Sequence, residues 1–144
     1  MIEIKKISAF ETFSIRKEVL RKNIPLPFEF NGDLDADTIH LGAFKNSKLI
    51  AVSSYMKVSN KNFKGIQYQL RGMATLPEYQ GFGAGRFMLE KAYTIFKELN
   101  IECLWCNARI KAVDFYKKQG LKTFGEKFDI KHVGEHYVMY KYLN

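Results

Sequence analysis

Residues 79–87 read YQGFGAGRF, and residues 85–100, GRFMLEKAYTIFKELN, carry it on into a strongly helical pattern. Glycine costs a helix up to about 1 kcal/mol relative to alanine, so three glycines at the threshold of a good helix need a reason. A helix N-terminus presents unpaired N–H groups and a partial positive charge, which together make an anion site. Glycines there remove side chains that would hold a phosphate away from the backbone. They also permit turns with φ > 0 that aim successive N–H groups at one point. Gln80 and Arg86 add donors from either side. The unit therefore reads as a diphosphate cradle, or else as a glycine-softened turn packed tightly on a sheet. Two familiar nucleotide loops are excluded. From Gly81, the GxxxxGK[ST] spacing reaches Arg86 and Phe87 with no Lys-Ser/Thr, and GxGxxG meets Arg86 where its third glycine belongs.

Working outward, IEIKKI (2–7) alternates as a strand does. Ser8, with Glu11 three residues on, forms a capping box that opens a helix to about Lys22. The proline-containing stretch NIPLPFEFNGDLDADT (23–38) reads as loop. TIHLGAFK (38–45) and KLIAVSSYMKVS (48–59) pair as a hairpin across Asn46-Ser47. GIQYQLRGMAT (65–75) is a further strand with a glycine inside it, ended by Pro77. In the helix that follows, Gly85, Met88, Leu89, Ala92, Ile95, Phe96 and Leu99 make one apolar stripe. IECLWC (101–106) has the continuous apolar run of a strand buried on both faces. ARIKAVDFYKKQ (108–119) reads as a helix stopped by Gly120, and residues 121–130 and 135–143 as two closing strands. The order β-α-β-β-β-α-β-α-β-β describes a mixed α/β sheet flanked by helices, in one domain spanning residues 1–144.

At 47% hydrophobic residues, a chain of 144 can bury a sizeable core. The start, MIEIKKISAF, has too short an apolar run for a signal peptide, and no stretch approaches the roughly 18 apolar residues of a membrane span. Cys103 and Cys106 stand three apart in a strand and point to opposite faces, which argues against a disulfide between them. No second CxxC or HxxxH completes a zinc site, so reduced thiols, no metal and a cytoplasmic location are the simplest reading. The net charge of +8 favours a polyanionic partner, but the lysines are scattered, unlike a nucleic-acid footprint.

Gln80-Gly81-Phe82-Gly83-Ala84-Gly85 resembles the QxxGxG acyl-CoA pyrophosphate motif of the GNAT superfamily of N-acetyltransferases. Ala112, Phe115, Tyr116, Gly120 and Leu121 resemble that family's A-x-x-[LF]-Y-x-x-x-G-[FL] element, one helix and one strand downstream. The resemblance covers about residues 38–144 well and the N-terminus weakly. It implies an α+β GNAT-type fold, with a mostly antiparallel twisted sheet of about six or seven strands. It implies acetyl-CoA as co-substrate, an amine acceptor and acetyl transfer by direct attack in a ternary complex. In the family a central strand splays from its neighbour at a β-bulge, and Gly72 sits where that would occur. The resemblance places the backbone of Met73, Ala74 and Thr75 on the pantetheine amides. Gln80, Gly81, Phe82, Gly83, Ala84, Gly85 and Arg86 then hold the pyrophosphate, and Asn107 of WCNAR touches the pantetheine. CoA is itself polyanionic, so the positive charge needs no nucleic acid or membrane surface. Dimers are common in the family.

Tyr116 occupies the family position of the general acid that protonates the departing thiolate; a core tyrosine is the alternative. The central strand IQYQLRGMAT carries no carboxylate to act as base. His136, Glu135, Asp129, His132 and His40 are the candidates, and His136 is selected because the last hairpin borders the acceptor site in the family. Arg109 meets phosphate or substrate. Asp33, Asp35 and Asp37 are a solvated loop, or else they attract a cationic amine. The competing functional reading is a CoA-sensing or partner-binding domain without turnover.

Overall fold

The computed structural model describes residues 1–143. Its strands are β1 (Ile2–Lys6), β2 (Ile39–Lys45), β3 (Lys48–Met56), β4 (Gln67–Thr75), β5 (Cys103–Arg109), β6 (Lys122–Ile130) and β7 (Gly134–Tyr142). Its α-helices are α1 (Ala9–Ile15), α2 (Ala84–Glu98) and α3 (Val113–Lys118). The strands form one sheet in the order β1-β2-β3-β4-β5-β7-β6. Every neighbouring pair is antiparallel except β4 and β5, which run parallel. This is the mixed, mostly antiparallel sheet that the family resemblance implies.

The capping box forms as read: Ser8 N–H donates to Glu11 Oε1 at 2.9 Å, and Glu11 N–H donates to Ser8 Oγ at 3.3 Å. The regular α-helix is shorter than the stretch to Lys22, however, because Arg16–Leu20 forms a π-helical turn. Asn46 and Ser47 both take positive φ, 50° and 66°, as a two-residue hairpin turn requires. The helix read over 108–119 begins later. Asn107, Ala108 and Arg109 extend β5 because they pair with Val138, Tyr137 and His136 of β7, and α3 starts only at Val113.

Alternation along β3 shows how the layers stack. Ala51 packs in one cluster with Met88 of α2, while the next residue, Val52, packs with Ile15 of α1. The two helices thus cover opposite faces of the sheet. The main core lies under α2 and α3, where Leu41, Tyr55, Leu70, Leu89, Phe96 and Leu104 are buried together. Each side chain of that size contributes about 1.5 to 3 kcal/mol by leaving water. The apolar stripe of α2 is buried as read except for Gly85, which is half-buried, and Leu99, which lies past the last turn and is exposed. Cys103 and Cys106 are free and buried, in clusters on opposite faces of β5.

One polar cluster penetrates this apolar interior. Arg16, with no exposed surface, donates to both carboxylate oxygens of Asp33 at 2.8 and 2.9 Å. It also donates to the Phe28 carbonyl at 3.0 Å and to Ser54 Oγ at 2.8 Å. Ser54 in turn lies 2.7 Å from His40 Nδ1, and His40 Nε2 donates to the Asp33 carbonyl at 2.9 Å. Burial pushes the Asp33 carboxyl up, but the hydrogen bonds from Arg16 and the Phe30 amide, with the Arg16 charge, bring it below its ordinary value. A depressed carboxyl pKa adds stability above its unfolded value that is lost as pH falls through the folded one. Asp33→Ala leaves a buried guanidinium without its counter-ion, and urea denaturation at pH 7 should show a loss of about 3 to 5 kcal/mol. The deficit should shrink as the pH falls below about 4.

Candidate active site

The pairing of β4 with β5 runs from Gln67–Cys103 to Leu70–Cys106 and then stops. β4 continues to Thr75 and β5 to Arg109, so the two strands part and present unpaired backbone to the space between them. A bulge accompanies the parting. Val52 pairs with Ala74 and Ser54 with Arg71, so β4 holds one residue more than β3 across the same interval. Gly72, inside the bulge, has φ +64°, and a Cβ there would stand 2.8 Å from the Phe30 ring. A side chain at this position would be strained and would collide. The structure thus contains the interior-glycine bulge that the resemblance implies.

The gap opens into a cleft of about 990 Å³. At the Thr75 end the wall is the start of α2. Gly81 and Gly83 both have φ +88°, no side chain caps the first turn, and a Cβ on Gly81 would meet nothing within 4 Å. These are the features of a backbone anion cradle. Gly85 serves packing instead: a Cβ there would come 3.0 Å from the Phe115 ring of α3. Arg86 lines the same end, with its guanidinium 3.2 Å from Glu90. Gln80 donates to the Thr75 carbonyl at 3.4 Å.

Met73, Ala74, Thr75, Gln80, Gly81, Gly83, Ala84, Gly85, Arg86, Asn107, Tyr116 and His136 all line this one cleft. Phe82 does not. Its exposed ring lies outside, with Lys45 Nζ 4.1 Å from the ring centre. Of the five candidate bases only His136 reaches the cleft. His40 is committed to the Arg16 cluster, Glu135 pairs with Lys127 at 3.5 Å, and Asp129 and His132 are exposed. The three aspartates stay out of the cleft wall: Asp33 is locked to Arg16, and Asp35 and Asp37 are exposed elsewhere. The preceding stretch contributes Leu26, Pro27, Glu29, Phe30 and Asn31 to the wall instead. Reading the sequence also missed Arg21 and Arg71, although Arg71, charged and next to the bulge glycine of a central strand, is itself a signal.

Tyr116, only 7% exposed, lines the cleft with its hydroxyl free of any hydrogen bond among the described residues. Burial pushes its phenol well above the ordinary value, with Cys106, Tyr55 and Tyr93 adding to the rise and Arg109 opposing it. Such a phenol keeps its proton throughout the neutral range. Burial also pushes the Cys106 thiol, on the same wall, up to about 12. His136 Nδ1 lies 2.7 Å from the Gly134 carbonyl. A carbonyl only accepts, so Nδ1 carries hydrogen and the neutral ring keeps its lone pair on Nε2.

The acetyltransferase (GNAT) family model matches residues 4–121, and the chain belongs to this family. The uncharacterized N-acetyltransferase YitI of Bacillus subtilis (strain 168) is 37% identical over 145 residues, covering 99% of this chain and 97% of that relative. Escherichia coli ElaA superposes with a TM-score of 0.80 at 18% identity, covering 98% of this chain and 99% of that one. An acyl-CoA N-acyltransferase from Pseudomonas aeruginosa superposes with a TM-score of 0.79 at 18% identity, with coverage of 98% and 99%. The family assignment is consistent with acyl transfer from an acyl-CoA. The buried environment of Tyr116 has a direct spectroscopic consequence. Absorbance titration near 295 nm should show no difference between the native chain and Tyr116→Phe below pH 10, the ordinary phenol value, and a missing tyrosinate only above it.

Proposed function

We propose that the protein transfers an acetyl group from acetyl-CoA to a primary amine by direct attack in a ternary complex. The observation that carries this reading is the parting of β4 from β5 toward an uncapped helix start with two left-handed glycines. An extended pantetheine arm laid along β4 would find the free backbone groups of Met73, Ala74 and Thr75, and Asn107 faces it from β5. The first-turn amides of α2, together with Gln80 and Arg86, suit the pyrophosphate. Phe82 contributes at most its backbone.

Acetyl-CoA supplies an activated thioester. A backbone N–H near Met73 polarises the thioester carbonyl, a contribution of about 3 kcal/mol for one oxyanion donor. His136 Nε2 takes a proton from the acceptor ammonium, directly or through water, and so frees the amine to attack. Tyr116 holds its proton through neutral pH and gives it to the departing thiolate, and the phenolate takes back the proton that the attacking nitrogen sheds as the amide forms. A covalent detour through Cys106 is disfavoured: a thiol at about 12 is ionised in roughly one molecule in 10⁵ at pH 7.

Calorimetry with CoA, paired with a thiol-release assay on mixed amines, tests the proposal. Micromolar CoA binding with amine-dependent thiol release is the expected result. Binding without release from any amine would leave a CoA-sensing domain, and no heat at millimolar CoA would remove the reading altogether. Gly81→Val should weaken CoA binding at least tenfold, because its side chain fills the space before the first-turn amides. Tyr116→Phe should lower kcat about 100-fold, the usual scale for a lost general acid, with CoA affinity unchanged within about twofold. His136→Gln should lower kcat/KM for the amine about 100-fold at neutral pH, the usual scale for a lost general base, with the KM for acetyl-CoA unchanged; an undiminished kcat/KM would clear His136 of the base role.

A further inference from the structure

Three arginines converge on the end of the cleft away from the helix cradle, and none of them is paired with a carboxylate among the described residues. Arg21, Arg71 and Arg109 all line the wall. Arg21 donates only to carbonyls, Pro27 at 2.9 Å and Leu20 at 3.2 Å, and Arg109 donates to the Leu20 carbonyl at 3.4 Å. The Arg71 side chain has no hydrogen-bond partner among the described residues, its backbone alone pairing with Ser54 of β3. Its guanidinium lies 4.3 Å from the centre of the Phe30 ring, which Arg16 also approaches at 4.0 Å and Arg21 at 5.4 Å. Arg16 is neutralised by Asp33, yet its Nε–H is buried without a partner and faces Gly72 on the cleft wall. Glu29, exposed, is the one carboxylate among the residues of the wall.

Charge of one sign, concentrated on a partly buried wall, is costly unless something anionic meets it. The arginines feel one another. Burial lowers the pKa of Arg21 first, and the charges of Arg109, Arg71 and Arg16 lower it further. Coenzyme phosphates do not answer this charge, because Arg71 precedes Thr75 by four residues of strand, about 13 Å. Under the proposed function the phosphates sit at the Thr75 end and the acyl group at the bulge. The arginines therefore border the place where the acceptor must stand, and Arg109 also acts on Tyr116.

We propose that the acceptor is an amine that carries an oxyanion, a carboxylate or a phosphate, which Arg71 binds together with Arg21 and Arg109 while the Phe30 ring packs against the guanidinium groups of Arg71 and Arg21. Planar guanidinium forks match such oxyanions in bidentate fashion, and Arg71 has all its donors free. The anchored oxyanion leaves the amine to point at the bulge, beside Tyr116. This inference rests on the acetyl-transfer reading for its geometry, but the oxyanion site can be measured without turnover.

The test uses the full chain and matched acceptors: α- and ω-amino acids against their amides, aminoalkyl phosphates against the amino alcohols, and diamines as the cationic extreme. Thiol release at saturating acetyl-CoA should favour an oxyanion-bearing amine over its neutral partner at least 30-fold in kcat/KM. The better of the amino-acid and phosphate arms identifies which oxyanion fits. Arg71→Gln should cut that preference at least tenfold by raising the acceptor KM, leave the KM for acetyl-CoA unchanged, and spare the neutral amines. Arg71→Lys should restore part of it. Equal or reversed preference overturns the proposal, as does an Arg71→Gln loss shared equally by charged and neutral acceptors. Calorimetry of the same acceptors, with and without CoA, separates the two claims. Oxyanion-selective binding without thiol release would overturn acetyl transfer and support the oxyanion site. Thiol release confined to neutral or cationic amines would do the reverse.

Discussion

After Leu70 and Cys106 the two parallel strands separate, and Arg71 to Thr75 lose their neighbour on one side. Backbone N–H and C=O groups are obligatory hydrogen-bonding groups, so a sheet that opens in its middle exposes them in the least protected place it has. The rest of the molecule is arranged around that opening. Gly72 bends β4 away, and the Phe30 ring fills the position its side chain would take. The Arg16–Asp33 pair ties the loop bearing Phe30 to the π-helical turn after α1 and to Ser54 of β3. On the other bank β7 holds β5 straight through Arg109. A buried ion pair is a weak source of net stability. Its value here is positional, because it fixes the wall opposite the bulge.

Two fields of positive potential follow from this layout, one from the helix start and one from the arginines around Phe30. They arise differently. The first is built of backbone dipoles and needs residues that lack side chains, whereas the second is built of side chains and needs a ring to space them. The neutral stretch of β4 between them, Gly72 to Thr75, carries no ionisable group. An overall charge of +8 is thus less informative than where the unpaired part of it stands.

Much of this was legible in the sequence, for identifiable reasons. The capping box at Ser8, the Asn46-Ser47 hairpin and the α2 stripe each depend on neighbours a few residues apart, and all three form. So does the pattern of glycines before α2, whose conformations are local. What escaped notice depended on distant partners. The π-helical turn at Arg16 places one guanidinium on an aspartate 17 residues away, and no periodicity announces that. The extension of β5 through Arg109 is dictated by β7, some thirty residues on. Asp33, Asp35 and Asp37 looked like one acidic unit, but folding buries the first and leaves the others in water. Arg71 stood in plain view, yet its importance lies in what fails to pair with it, which a linear reading does not display.

The parallel junction has only four rungs, so the molecule resembles a book whose two leaves, β1–β4 and β5–β7, share a short spine. Whatever lies in the open half of that spine touches both leaves at once and lengthens the binding between them. Occupancy and cohesion of the fold become linked quantities, and the empty and filled forms would differ most in how tightly the leaf of β5–β7 is held.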